Sequence, residues 1–138
     1  MLVFRYGVLM VTMNKVIHTE NAPDAIGPYS QAVINGNLIF TAGQICIDPV
    51  TSKLNNPDFE TETQQVLNNI NAILKEAGSS LKNIVKCTVY LKNLNNFSKI
   101  NTVFTQYFPE NPPARAAVEV SGLPMNVNVE IDAIASIE

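Results

Sequence analysis

Ile84-Val-Lys-Cys-Thr-Val-Tyr-Leu-Lys92 alternates at every step: Val85, Cys87, Val89 and Leu91 point one way, and Lys86, Thr88, Tyr90 and Lys92 point the other. Successive side chains of a strand leave opposite faces of a sheet, so this segment reads as a half-buried strand. Its flanks carry a different period. Upstream, Val66, Ile70, Ile73, Leu74 and Ala77 recur at spacings of three and four, the repeat of a helix face, with Asp58 as its N-cap and Gly78 as its stop. Downstream, Phe97, Ile100, Phe104, Tyr107 and Phe108 mark a second amphipathic helix, ended by Pro109 and the Pro112-Pro113 pair.

Working outward from this helix–strand–helix centre, Asn14 to Thr19 reads as a short strand, and Ala22 to Ser30 (APDAIGPYS) breaks any regular pattern as an ordered loop. Ala32 to Ile34 and Leu38 to Thr41 flank Asn35-Gly36-Asn37, whose Asn-Gly step accepts the positive φ of a tight hairpin turn. A loop follows from Ile47 to Pro57. On the C-terminal side, Ala114 to Val120 and Val127 to Ile137 are two further strands around the turn Ser121-Gly122-Leu123-Pro124. This order describes an α+β fold with two helices on one face of a mixed sheet, in a single domain over residues 13–138. Residues 1–12 (MLVFRYGVLMVT) form an N-terminal extension, expected to make a strand or a partner contact. It is too short and too interrupted, by Arg5 and Gly7, to cross a bilayer, and Met13 serves equally well as a start.

The chain has 138 residues with 9 Lys+Arg against 12 Asp+Glu, a formal net charge of −3, and no cluster of four or more basic residues. That balance disfavours nucleic-acid binding, which is driven by phosphate neutralisation. Two cysteines, Cys46 and Cys87, are far apart and form no CxxC pair, and one histidine, His18, does not complete an ordinary zinc site. No metal is expected, and both thiols read as buried, reduced, small hydrophobes. The signatures GxGxxG, GxxxxGK[ST], HExxH and GxSxG are all missing, so no cofactor is expected from known motifs. Lone His18 reads as a surface or structural residue.

Arg115 is the anomaly. It is one of two arginines, set in the apolar strand Ala114-Arg115-Ala116-Ala117-Val118, where small neighbours leave room beside a guanidinium suited to a bidentate carboxylate contact. Glu130 is similarly placed among Val127-Asn128-Val129-Glu130-Ile131-Asp132-Ala133. If the last two strands form a hairpin, Arg115 and Glu130 lie together on one sheet face. The pair is then either a salt bridge or a site in which Arg115 holds an anionic substrate and Glu130 orients or activates water.

Four segments, Ala22 to Val33 (APDAIGPYSQAV), Thr41 to Pro49 (TAGQICIDP), Ile84 to Leu94 (IVKCTVYLKNL), and Pro113 to Val120 with Val129 to Ala135 (PARAAVEV, then VEIDAIA), closely resemble the RidA/YjgF family, also called L-PSP endoribonuclease-like. The resemblance covers about residues 14–137. It implies a chorismate-mutase-like fold assembled as a homotrimer with clefts between subunits. It also implies cofactor-free deamination of reactive 2-enamine and 2-imine acids such as 2-aminoacrylate to 2-oxo acids and ammonia, the activity of a 2-iminobutanoate/2-iminopropanoate deaminase.

By that resemblance Arg115 grips the substrate carboxylate and Glu130 is linked to water activation. Tyr29 of the GPY segment, Asn101 of the second helix, and Gly43, Gln44 and Ile45 of the cleft wall complete the site. Many bacterial members carry a cysteine two positions after the arginine, where this chain has Ala117. Only a main-chain group there is left to touch a ligand. The residue types suit an imine of a 2-oxo acid, which offers a carboxylate to fix and an electrophilic carbon for a positioned water. The alternatives are an endoribonuclease or translation inhibitor, and a non-catalytic trimer that binds small carboxylates. A cytoplasmic location is expected, with a mitochondrial one left open.

Overall fold

The computed structural model describes residues 3–5, 8–10 and 13–138, the first two segments by backbone alone. The elements run β1 (Val3–Arg5), β2 (Val8–Met10), β3 (Lys15–Ile17), β4 (Ala32–Asn35), β5 (Leu38–Thr41), α1 (Phe59–Glu76), β6 (Ile84–Leu91), α2 (Phe97–Tyr107), β7 (Ala114–Glu119) and β8 (Val129–Ser136). Within the extension, β1 pairs antiparallel with β2. What was expected of residues 1, 2, 6, 7, 11 and 12 lies outside the described residues.

The other strands form one mixed six-stranded sheet in the order β3-β4-β5-β8-β6-β7. The β4–β5 turn places Gly36 at φ 63°, as its Asn-Gly step requires. Helix α1 begins where Asp58 accepts a 2.7 Å bond from the Thr61 N–H, and it ends ahead of Gly78 at φ +83°. Its apolar stripe (Val66, Ile70, Ile73, Leu74) is fully buried with Ile100 and Val103 of α2 and with Val89, Leu91, Val129, Ile131 and Ala135 of the sheet. The expected α+β fold, a mixed sheet with two helices in one domain, is what forms.

Two expectations are corrected. The last two strands do not pair: β8 joins β6 antiparallel on one side, and β7 joins β6 parallel on the other. The segment from β6 through α2 to β7 is a crossover unit, which is how a chain makes two parallel neighbours. The second correction concerns Val85. The β6–β8 register shifts between Ile84 and Lys86, so Val85 sits in a bulge and is 52% exposed, while Cys87, Val89 and Leu91 remain buried.

Candidate active site

The register decides which side chains share a face. Cys87 pairs with both Ala133 and Arg115, and Cys87 and Ala133 are in the core, so Arg115 belongs to the helix-covered face. Tyr90 pairs with Glu130 on the opposite, open face, where the Tyr90 hydroxyl donates to Asp132 at 3.0 Å. Arg115 and Glu130 of one chain are therefore separated by the sheet. The expected same-face pair does not form, because β6 separates the two strands and its register sets Arg115 beside Cys87 and Glu130 beside Tyr90, whose side chains leave opposite faces.

On the open face a cleft is lined by Tyr29, Gly43, Gln44, Ile45 and Glu130, five of the residues expected there, together with Asp24 at its mouth. Gln44 exchanges both backbone hydrogen bonds with Ile131, at 2.8 and 3.1 Å, which sets the wall beside Glu130. A Cβ on Gly43 would stand 2.9 Å from the Glu130 carboxyl carbon, so glycine is what lets this carboxyl lie against the wall. Burial, with a further contribution from Asp132, raises the Glu130 carboxyl above the usual glutamate range. Tyr29, half exposed, has its hydroxyl fixed by the Ile26 N–H at 3.2 Å.

The second cluster lies under the other face. The Arg115 guanidinium donates to Asn101 Oδ1 at 2.7 Å and sits 4.9 Å from the centre of the Phe104 ring and 5.3 Å from that of Phe97. Phe97, Asn101 and Phe104 are spaced four and three apart on α2, one helical face aimed at β7. The rings hold the cation by its π-face, and the fork edge not used by Asn101 is left for an anion. Arg115 and Asn101, both expected in the site, thus come together, away from the other five. Ala117 follows on the same face of β7 but packs against the core and lines neither cluster.

Other candidates fall away. Burial pushes the Cys46 thiol up to about 11 and Cys87 up to about 12, so neither supplies a thiolate nucleophile. His18 is exposed, 3.9 Å from Asp24. Among the described residues no group of three or more His, Cys, Asp or Glu is placed to hold a metal ion, and no helix is long and apolar enough to cross a membrane.

Sequence reasoning missed Gln31 and the two aromatic rings. Buried Gln31 accepts from the Thr19 N–H at 2.7 Å and donates to the Thr19 and Pro23 carbonyls at 3.0 and 2.8 Å, tying down the loop that forms the cleft mouth. Phe97 and Phe104 were read only as core. Their spacing about Asn101 was the available signal.

The family model described as Endoribonuclease L-PSP matches residues 19–137. A RutC family protein of Pyrococcus horikoshii is 57% identical over 123 residues, covering 89% of this chain and 98% of its own. Among solved structures, the YjgF gene product of E. coli superposes with a TM-score of 0.85 at 44% identity, over 90% of this chain and 99% of that one. RidA from an Antarctic Psychrobacter species gives 0.86 at 44% identity, over 89% and 99%.

Proposed function

The chain belongs to the RidA/YjgF (endoribonuclease L-PSP) family, and from that premise we propose that it is a cofactor-independent deaminase of 2-imino and 2-enamino acids, working in clefts shared between subunits of a homotrimer. The observation that carries the reading is the division of labour across the sheet. A desolvated carboxyl lies in an open cleft, and a guanidinium braced for an anion lies on the other face. One chain holds both halves but not together, so a complete site takes Glu130, Tyr29 and the Gly43–Ile45 wall from one subunit and Arg115 with Asn101 from its neighbour. The open sheet face supports such an assembly: Val16, Val33, Phe40 and Ile134 line up across four strands on it, with Val16 and Phe40 exposed.

In the proposed reaction Arg115 binds the carboxylate of R–C(=NH)–COO⁻ and Glu130 takes a proton from the attacking water. As the C–O bond forms, the C=N π pair moves to nitrogen, which takes that proton back from Glu130 to give the carbinolamine R–C(OH)(NH2)–COO⁻. Glu130 then takes the hydroxyl proton and passes it to the amino nitrogen as C=O forms and the C–N bond breaks, leaving the 2-oxo acid and ammonia. A carboxyl raised above its usual range is a better base for water than an ordinary surface glutamate. The family description also covers ribonuclease activity, against which stand the net charge of −3 and the absence of any basic cluster.

The deciding assay supplies 2-aminoacrylate enzymatically and follows ammonia and pyruvate. Acceleration by the purified protein that is lost in both Arg115→Ala and Glu130→Gln supports the reading. No acceleration by the wild type overturns it, and RNA cleavage in a parallel arm points to the other.

A further inference from the structure

Helix α1 carries a fully buried carboxylate that the proposed reaction does not use. Glu62 is 0% exposed, and no lysine, arginine or histidine pairs with it among the described residues. Its Oε1 accepts from the Asn128 backbone N–H at 2.7 Å, and its Oε2 accepts from the Asn128 side-chain amide at 2.9 Å. A buried carboxylate without a cation is costly and is tolerated only where donors satisfy it. Here the two amide donors are joined by the positive end of α1, in whose first turn Glu62 lies.

What these bonds hold is the start of β8. Asn128 is two residues before Glu130, between the fully buried Val127 and Val129, and its carbonyl accepts from the Lys92 N–H at 3.0 Å. On the far side of Glu130, Ile131 is fixed to Gln44. One helical stripe further along, Asn69 donates to the Ile45 and Ile47 carbonyls at 3.1 and 2.8 Å, so the same face of α1 grips the cleft wall.

We infer that Glu62 is a positioning residue for Glu130, its carboxylate clamping Asn128 so that the Glu130 carboxyl is held against Gly43 in the cleft. This rests on the proposed deaminase reading only for its kinetic consequence. The positional claim stands on the hydrogen bonds alone.

Glu62→Leu keeps apolar volume in the core but removes both acceptors, so β8 is expected to loosen at Asn128. Turnover should fall by about tenfold to a hundredfold with KM for the imine nearly unchanged, as a displaced reacting group produces. Glu62→Gln should stay within about threefold of wild type, because one amide oxygen still accepts the backbone N–H and the Asn128 amide turns over to meet the new NH2. A ¹³C titration of the Glu130 carboxyl, whose ionisable neighbours are Asp132 and Tyr90 on the sheet and Tyr29 and Asp24 along the cleft, is the readout that needs no activity. It should move down toward the ordinary glutamate range in Glu62→Leu and stay at its wild-type position in Glu62→Gln.

If Glu62→Leu does not fold, Asn128→Ala, which leaves the core intact and orphans Oε2, should give the same downward movement in weaker form. A Glu130 titration unchanged in the folded variant overturns the positioning role. A wild type without deaminase activity whose titration nevertheless moves as stated overturns the function alone.

Discussion

The two half-sites solve opposite problems. Around Arg115 the chain surrounds a cation with partners, an amide oxygen and two ring faces, and leaves it charged and aimed. Around Glu130 it withholds them. No hydrogen bond from a described residue reaches the carboxyl, Asp132 stands nearby with like charge, and Gly43 makes room without offering a side chain. On the proposed reading, the group that binds is given partners, and the group that takes up a proton is kept uneasy in its charged form. The sheet keeps the two from neutralising each other within one chain.

The comparison breaks first if Arg115 is not an anchor. Arg115→Ala should cost about 2–5 kcal/mol of transition-state binding, the range for truncating one partner of a desolvated charged pair, while leaving the protein folded. Arg115→Lys should recover little, since an ammonium lacks the planar fork and stacks less well between Phe97 and Phe104. Near-normal kcat/KM in the alanine variant removes the anchoring role.

Next in size is Glu130→Gln, which keeps shape and loses the base. Turnover should fall by roughly 10²–10⁴-fold with affinity for a 2-oxo-acid analogue preserved, and the acid limb of the pH profile should vanish. Mixing then tests the shared cleft. Chains inactive through Arg115→Ala and through Glu130→Gln, refolded together, should regain about a quarter of wild-type activity, because on random assembly a cleft draws its intact arginine and its intact glutamate from two different chains. No recovery, or a fully active monomer by sedimentation, defeats the two-chain site.

Much of each half was legible in sequence, and their separation was not. Tyr29, Gly43, Gln44, Ile45 and Glu130, which the family resemblance singles out, line one cleft, and Arg115 meets Asn101. Adjacency in sequence misleads here: two strands joined by a short turn region need not pair, and β6 inserts between them. Strand order is a property of the whole sheet, set by where the α2 crossover deposits β7, and alternation within β7 and β8 says nothing about it. Strict alternation misled once more at Val85, because a bulge adds a residue without altering the hydrophobic pattern around it.

A smaller effect sharpens the Glu130 side. In Gly43→Ala the new methyl meets only the far end of a flexible side chain, so folding stability should change little. The carboxyl must nevertheless swing off the wall. A misplacement of about 1 Å at a reacting group costs up to about a hundredfold, so turnover should drop by that order while Arg115-dependent binding of an oxo acid is untouched. Equal losses in turnover and in thermal stability would mean that Gly43 serves the fold and not the carboxyl.

The smallest effect concerns stability, and its sign separates a catalytic carboxyl from a salt bridge. The Glu130 carboxyl is raised above its ordinary value of 4.5, chiefly by burial. Below that value it is protonated in both folded and unfolded chains and contributes nothing. As pH rises through the window above 4.5, the unfolded chain releases the proton first, so wild type loses stability there and carries the deficit to neutral pH. Glu130→Gln never ionises. The variant should match wild type in Tm near pH 3.5 and exceed it at pH 7, by a margin that opens across that window. If Glu130 were instead the salt-bridge partner of a neighbouring subunit's Arg115, its carboxyl would be lowered in the assembly and the stabilisation would be present at neutral pH and lost on acidification. Wild type would then be the more stable form at pH 7. A melting series on the two proteins at matched subunit concentration reads that sign directly, whether or not a substrate is ever turned over.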